Sequence, residues 1–338
     1  MSIHLAWMLV AAMLTTGSPP AGKAPIRGLI SMGAYRFVAN GGEPVNTMEP
    51  LNAKPGIFSG IVIVASWREL QASRASGLAE SNNIDRALAE VRQYNRRNPQ
   101  KPLAVKLRVW GGFMAPDWAK QLGGTPINVT HNGTARVIGH FWSIPYRNAW
   151  ARFQELLAEK YDGEPLIHEV AVTSCMSVTA EPFFLPDDVV KSLNAADFKP
   201  LMYKQCLQHA VEDYSPWKQT RIEIPLNPLV LPGEKPDASF TEEVMRSCRK
   251  SLGQRCIFDN HDLDSNPPGS IPKIYDLFKQ LGRPVEFQAY HETPPDFDGT
   301  IRLAVSLGGG SVELWQDYKG FPLVPDAKLK QWAAMLEK

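Results

Sequence analysis

"AWARFQELLAEKYDGEPLIHEVAVTS", residues 149–174, places a helix directly before a strand. Trp150, Phe153, Leu156 and Leu157 recur at helical spacing and make one apolar face. Gly163 and Pro165 break that pattern. Residues 166–174, LIHEVAVTS, then read as a short buried strand. Parallel strands need a crossover between them, and an amphipathic helix of this length is the usual one.

The same alternation runs outward in both directions. Upstream lie the strand-like runs PIRGLISMG (25–33), FSGIVIVASW (58–67) and KPLAVKLRVW (101–110). Between the last two, NIDRALAEVRQYNRRN (83–98) sets Ile84, Leu88 and Val91 on one helical face. Downstream come TRIEIPLNP (220–228), RCIFDNHD (255–262), RPVEFQAY (283–290) and GSVELWQDY (310–318). Helical stretches at 198–214, 239–253, 270–282 and 298–309 separate them, and residues 325–338 form a closing helix. The stretch at 239–253 opens on a capping signal and ends in Gly253. Eight strands in βα units predict an α/β fold, a single (β/α)8 barrel over residues 25–338. The unit after the first strand, 34–56, reads as loop rather than helix. An open doubly wound sheet is the rival, but no Gly-rich dinucleotide loop follows the first strand.

The chain has 338 residues, 44% apolar and 21% charged, enough to bury a large core. Its net charge of +1, with both signs mixed, gives no basic surface for nucleic acid or an anionic membrane. Residues 1–24 run from an apolar stretch, Leu5 to Leu14, into a polar, proline-rich one. That resembles a secretory signal peptide, although Lys and Arg are missing ahead of the apolar run; an ordinary N-terminal helix is the alternative. The run is short for a membrane span, so a secreted or periplasmic protein without an integral span after processing is expected. Export permits disulfides between the four cysteines. Cys248 and Cys256 flank RKSLGQR and can pair, which leaves Cys175 with Cys206; four buried free thiols are the alternative. The cysteine spacing fits no common zinc motif.

In a barrel of this kind, chemistry sits at the C-terminal ends of the strands. Those ends carry Arg108 and Trp110, Glu223, Asp259 to Asp262, Glu286, Gln288 and Tyr290, and Glu313 and Trp315. His291 and Glu292 follow the seventh strand. Beyond the fourth strand, AVTSCMSVTAEPFF (171–184) holds one acid, Glu181, among small residues. Acids flanked by aromatic rings suit a polyhydroxylated substrate. A glycosidase needs one carboxyl to protonate the leaving oxygen and a second as nucleophile or base. A poorly solvated carboxylate keeps its proton, as the first role requires, so Glu181 is the candidate acid. Backbone capping is its bland alternative.

At these residues the chain resembles the clan A glycoside hydrolases. AEP (180–182), RVWGGFMAPDWAKQLGG (108–124), FWSIPYRNAWARFQELLAEKYDGEPLIHEVAV (141–172) and ELWQDY (313–318) carry the resemblance. It implies the acid/base role for Glu181, a glutamate nucleophile at the end of the seventh strand, and hydrolysis of an oligo- or polysaccharide. The seventh strand departs from that pattern. It reads PVEFQAYHET, and Gln288 cannot serve as a carboxylate nucleophile. Glu313 and Glu292 are the candidates for the second carboxylate; Glu286, a step deeper, and the absence of any second carboxylate are the alternatives. Arg108 pairs with a barrel acid in this picture. Trp110, Trp142 and Trp315 wall the sugar site, and Asp259, His261, Gln288 and Tyr290 bind substrate. PINVTHNGTARVIGHFW (126–142) reads as a β-hairpin turning at Asn132-Gly133, which brings Trp142 to the mouth. No cofactor and no metal are expected. Two rivals remain: a non-catalytic carbohydrate-binding barrel, favoured by Gln288, and a metal-dependent hydrolase using Asp259 and His261.

Overall fold

The computed structural model describes residues 22–32, 48–316 and 320–338. Ten strands are present among them: β1 (Gly28–Met32), β2 (Gly60–Ser66), β3 (Ala104–Trp110), β4 (Ile127–His131), β5 (Thr134–Ile138), β6 (Ile167–Ala171), β7 (Arg221–Pro225), β8 (Cys256–Leu263), β9 (Val285–Ala289) and β10 (Gly309–Trp315). Eight close a parallel barrel in the order β1–β2–β3–β6–β7–β8–β9–β10, with β10 returning to β1. These are the eight runs expected from the sequence. β2, GIVIVAS, is buried along its whole length, as a strand covered on both faces must be. β4 and β5 pair antiparallel outside the barrel and turn at Asn132-Gly133, where φ is 49° and 73°, the left-handed pair that a two-residue hairpin turn requires.

Helices fill the crossovers, among them Asn83–Arg97, Ile144–Tyr161, Ala238–Leu252, Ile271–Leu281 and Phe297–Ser306. The stretch expected as one helix over 198–214 instead holds a helix at Pro200–His209 and a separate 3-10 turn at Glu212–Tyr214. A helix at Asp187–Ala195 was not expected; Pro186 precedes it and Asp187 and Asp188 occupy its first turn, where the helix dipole favours acids. Most of the loop-like segment 34–56 lies outside the described residues, and its described end holds a four-residue helix, Glu49–Asn52.

The expected signal segment lies outside the described residues up to position 21. Its last three residues are part of the fold. Lys23 donates its backbone N–H to the Gln219 carbonyl at 2.8 Å, and its ammonium donates to the carbonyls of Asp162, Glu164 and Ile167 at 2.7–2.8 Å. Lys23 is thus anchored against the barrel. Cys175 is bonded to Cys206 and Cys248 to Cys256, so no described cysteine is a free thiol. Among the described residues no helix is long and apolar enough to cross a membrane.

Branched aliphatic layers usually fill a barrel of this kind. Here the interior is ionic. Lys106 of β3 is fully buried, with its ammonium 2.6 Å from Glu286 Oε2, 2.9 Å from Glu313 Oε1, 3.8 Å from Asp259 Oδ2 and 3.9 Å from Glu169 Oε2. Burial works against its charge, but Glu286 and Glu313 outweigh burial and hold its pKa well above the usual lysine value. The carboxylates divide accordingly. Glu169 and Glu223 are pushed up, by burial first and by the neighbouring Glu286 and Asp259 second. Burial also pushes Glu313 up, but Arg108 and Lys106 outweigh it and leave Glu313 below its usual range, hence ionised.

Candidate active site

The loop that carries Glu181 is tied down at several points. Just past β6, Thr173 donates its hydroxyl to the Val109 carbonyl, and its N–H reaches the Tyr214 hydroxyl at 2.9 Å. Cys175 follows with φ of 68°, a left-handed conformation that a side-chain-bearing residue takes only when held, and its disulfide to Cys206 holds it. The turn after β3 abuts the same loop. Gly112 sits at φ 51°, and a Cβ there would fall 2.0 Å from the Ser177 carbonyl oxygen. Phe113 donates its N–H to that oxygen at 3.0 Å. Only glycine fits this crossing, and the crossing sets where the chain climbs to Glu181.

Glu181 emerges at the C-terminal mouth, on a cavity of about 730 Å³. Its side chain is 22% exposed. The sequence suggested an acid without charged neighbours, and the structure corrects this. His261 Nδ1 of β8 lies 3.4 Å from Glu181 Oε1, and Asn227 Nδ2 donates to Glu181 Oε2 at 3.2 Å. The other imidazole nitrogen, Nε2, is 3.3 Å from Asp259 Oδ2. Burial disfavours a charged ring, but bonds to Asp259 and Glu181 outweigh burial and raise the His261 pKa to about 10. At neutral pH it is an imidazolium between two acids.

Arg108 lies beneath the cavity. Its guanidinium meets both oxygens of Glu313 at 2.9 and 3.0 Å and the Gln288 Oε1 at 3.2 Å. The expected pairing of Arg108 with a barrel acid is thus present, and the acid is Glu313. Six other residues expected at the site line the cavity with Arg108: Trp110, Glu181, His261, Gln288, Tyr290 and Trp315. Trp315 is oriented by donation from its indole N–H to the Ala289 carbonyl at 2.8 Å.

Four expected site residues are placed elsewhere. Glu313 is fully buried, engaged by Arg108 and Lys106, and does not reach the cavity surface. Glu292 is half-buried beyond β9 and is not on the cavity lining. Asp259 is fully buried behind His261 and acts on the cavity through it. Trp142 is 2% exposed, edge-on to Phe141 and Phe198 with ring centroids 4.9 Å away. The hairpin does reach the mouth, but it delivers His131, Asn132 and Arg136 instead. It is fastened there by Asp188, which accepts the Asn132 N–H at 2.9 Å and lies 3.1 Å from His131 Nδ1.

Asp262 and Phe184 also line the cavity and were not singled out from the sequence. Phe184, three residues past Glu181 and 43% exposed, adds a ring to the wall. Asp262 stands in DNHDLD among the polar residues at a strand end, but only Asp259 and His261 of that run were given a substrate role. The pairing of β8 with β9 shifts register between Asn260 and Leu263.

Glu223, Asp259 and His261 place one ligand atom each within 4.8 Å of the others, a grouping that could hold a metal ion. The chemistry around it is unfavourable. Lys106 already neutralises Asp259 from 3.8 Å, and both nitrogens of His261 face carboxylates. An ion would have to displace a proton and compete with a fixed ammonium.

No family model and no curated protein matches the chain. Solved structures do resemble it. Endo-glycoceramidase II from Rhodococcus sp., in complex with a five-membered iminocyclitol, aligns over 95% of this chain and 80% of its own, at 13% identity and a TM-score of 0.55. ZgEngAGH5_4 in complex with a cellotriose aligns over 93% and 96%, at 14% identity and a TM-score of 0.50. A structure described as a glycoside hydrolase aligns over 92% and 99%, at 11% identity and a TM-score of 0.51. At these identities the likeness is one of fold: a closed (β/α)8 barrel.

Proposed function

We propose that this protein is a secreted or periplasmic glycoside hydrolase that cleaves an oligo- or polysaccharide, with Glu181 as the proton donor. The observation that carries the reading is the mouth cavity, where one half-buried carboxyl and three aromatic rings, Trp110, Tyr290 and Trp315, share a single surface. Aromatic faces stack on sugar rings, and the amide of Gln288 and the hairpin's Asn132 and Arg136 offer hydrogen bonds to hydroxyls. Glu181 gives its proton to the glycosidic oxygen as the C–O bond breaks. The imidazolium of His261 stands 3.4 Å behind it and stabilises the carboxylate left by that transfer. The barrel likeness to proteins described as an endo-glycoceramidase and a glycoside hydrolase supports the same reading. Two disulfides suit an oxidising compartment.

One observation favours a second reading. Gln288 stands at the end of β9, bonded to Arg108, where the resemblance calls for a glutamate nucleophile. A barrel that binds glycans without cleaving them would have this appearance. Incubation of the protein with a panel of soluble glycans separates the two. Release of new reducing ends supports hydrolysis. Glycan binding measured by calorimetry, with no product after prolonged incubation, supports the binding barrel and defeats the proposal.

A further inference from the structure

We propose that the face of the barrel opposite the mouth docks the protein on an anionic phospholipid surface. This role is independent of what the mouth binds or cleaves. The net charge of +1 gave no sign of such a surface, because it averages over the chain. In this fold the leading ends of the strands and the trailing ends of the helices share one face. The leads into β7, β8, β9 and β1 are residues 214–221, 249–255, 277–284 and 22–27. Each holds Lys or Arg, and none holds Asp or Glu. The lead into β10, 303–308, carries no charge of either sign. These strands are consecutive in the barrel, β7–β8–β9–β10–β1, so the leads form one sector of that face.

Five cations of the sector, Arg27, Lys218, Lys250, Lys279 and Arg283, are exposed, and none is in an ion pair with another described residue. The nearby acids are engaged elsewhere. Asp162 accepts the backbone N–H groups of Lys218, Gln219 and Thr220 at 2.8–3.1 Å. Glu286 turns its carboxylate to the Lys106 ammonium at 2.6 Å. Lys250 and Lys279 lie in the last turns of helices, where cations complement the dipole. Arg27, Lys218 and Arg283 lie on strand leads, where no helix dipole calls for them.

Within the sector, Arg27, Arg221 and Arg283 line a cavity of about 170 Å³. Arg221 is 8% exposed and fixed in place: its Nε donates to the Lys23 carbonyl and its Nη1 to the Gln254 carbonyl. Guanidinium groups present planar forks that match phosphate oxygens in pairs. One phosphate can be seated there, and Lys218, Lys250 and Lys279 offer charge to others on the same face. A phospholipid surface presents phosphates in that repeated form. Nucleic acid also does, but single-stranded binding draws on exposed rings, and no exposed large apolar or aromatic side chain lies on these segments. The attraction is therefore electrostatic, without apolar insertion, and it leaves the mouth facing away from the surface.

The test is co-sedimentation of the full chain, disulfides intact, with vesicles of phosphatidylglycerol and phosphatidylcholine in equal parts, and with phosphatidylcholine alone. Retention on the first and not on the second is expected at low ionic strength, with release as salt shortens the screening length. Each basic residue near such a surface is worth roughly fivefold in binding, so Arg27→Gln with Arg283→Gln should weaken retention roughly 25-fold. Both side chains are exposed, so the melting temperature should hold. Arg74→Gln, exposed in the loop after β2 on the mouth side, should lose far less. No retention on anionic vesicles, equal retention on neutral ones, or an equal loss in Arg74→Gln overturns the proposal. Thermal stabilisation by inorganic phosphate without vesicle binding overturns it in favour of a free anion. Tighter binding to duplex DNA at the same ionic strength overturns it in favour of nucleic acid.

Discussion

Replacing Lys106 with methionine tests the ionic interior on which the site rests. Methionine fills nearly the same volume, so the change removes a charge with little loss of packing. Around the vacated ammonium remain Glu286 and Glu313, which were 2.6 and 2.9 Å from it, with Asp259 and Glu169 within 3.9 Å. Breaking a buried ion pair by removing one partner costs about 3–5 kcal/mol, because the other charge stays buried without compensation. The loss is large beside the roughly 5–15 kcal/mol of a folded domain. It should also depend on pH. In the wild type Glu313 and Asp259 titrate below the ordinary carboxylate range, so their ionised forms stabilise the fold above about pH 4, and that contribution is lost as pH falls through their native values. Without Lys106 the cluster titrates above that range, and its burial then opposes folding as pH rises. The gap between variant and wild type should therefore be small near pH 4 and widen toward pH 7. Urea denaturation of both proteins across that interval, with disulfides intact, measures it. A loss under about 1 kcal/mol at pH 7, or one that does not vary with pH, would refute the reasoning.

Two further changes probe the loop that carries Glu181. Gly112→Ala puts a Cβ 2.0 Å from the Ser177 oxygen at a left-handed backbone position, so it should cost more than about 1–2 kcal/mol and lower activity together with the melting temperature; an unchanged melt and an unchanged rate would count against the crossing as a constraint. Cys206→Ser opens a loop of 31 residues and Cys256→Ser one of 8, so chain entropy predicts losses of about 3.5 and about 2.5 kcal/mol. Only the first should reduce turnover, since only Cys175–Cys206 clamps the Glu181 loop, and equal turnover in the two variants would contradict this.

The fold was legible because its signal is local. Each barrel strand is a short apolar or β-branched run beside an amphipathic helix, so the βα count emerges from residues that are neighbours in sequence. The hairpin was legible for the same reason, through Asn132-Gly133. What the sequence concealed depends on distance across the barrel. His261 meets Glu181 from 80 positions away, so the acid looked isolated. Glu313 looked like a cavity residue because it shares a face with Trp315, but depth along a strand is not readable from alternation, and Arg108 closes over it. Lys106 offered an unused clue: a lysine two residues before Arg108, inside the apolar run LAVKLRVW, predicts buried acids on the facing strands. Asp262 was visible as a strand-end acid, but its place on the cavity lining depends on neighbours from other strands.

The central claim is that Glu181 gives a proton to a glycosidic oxygen. Glu181→Gln keeps the shape and the bond from Asn227 while removing that proton. The deciding measurement is the turnover of this variant on a natural glycan set against its turnover on an activated aryl glycoside, whose leaving group needs little protonation. The account predicts a fall of roughly 100-fold to 10,000-fold on the glycan and a much smaller one on the aryl substrate. Hydrolysis of the glycan at the wild-type rate would contradict it.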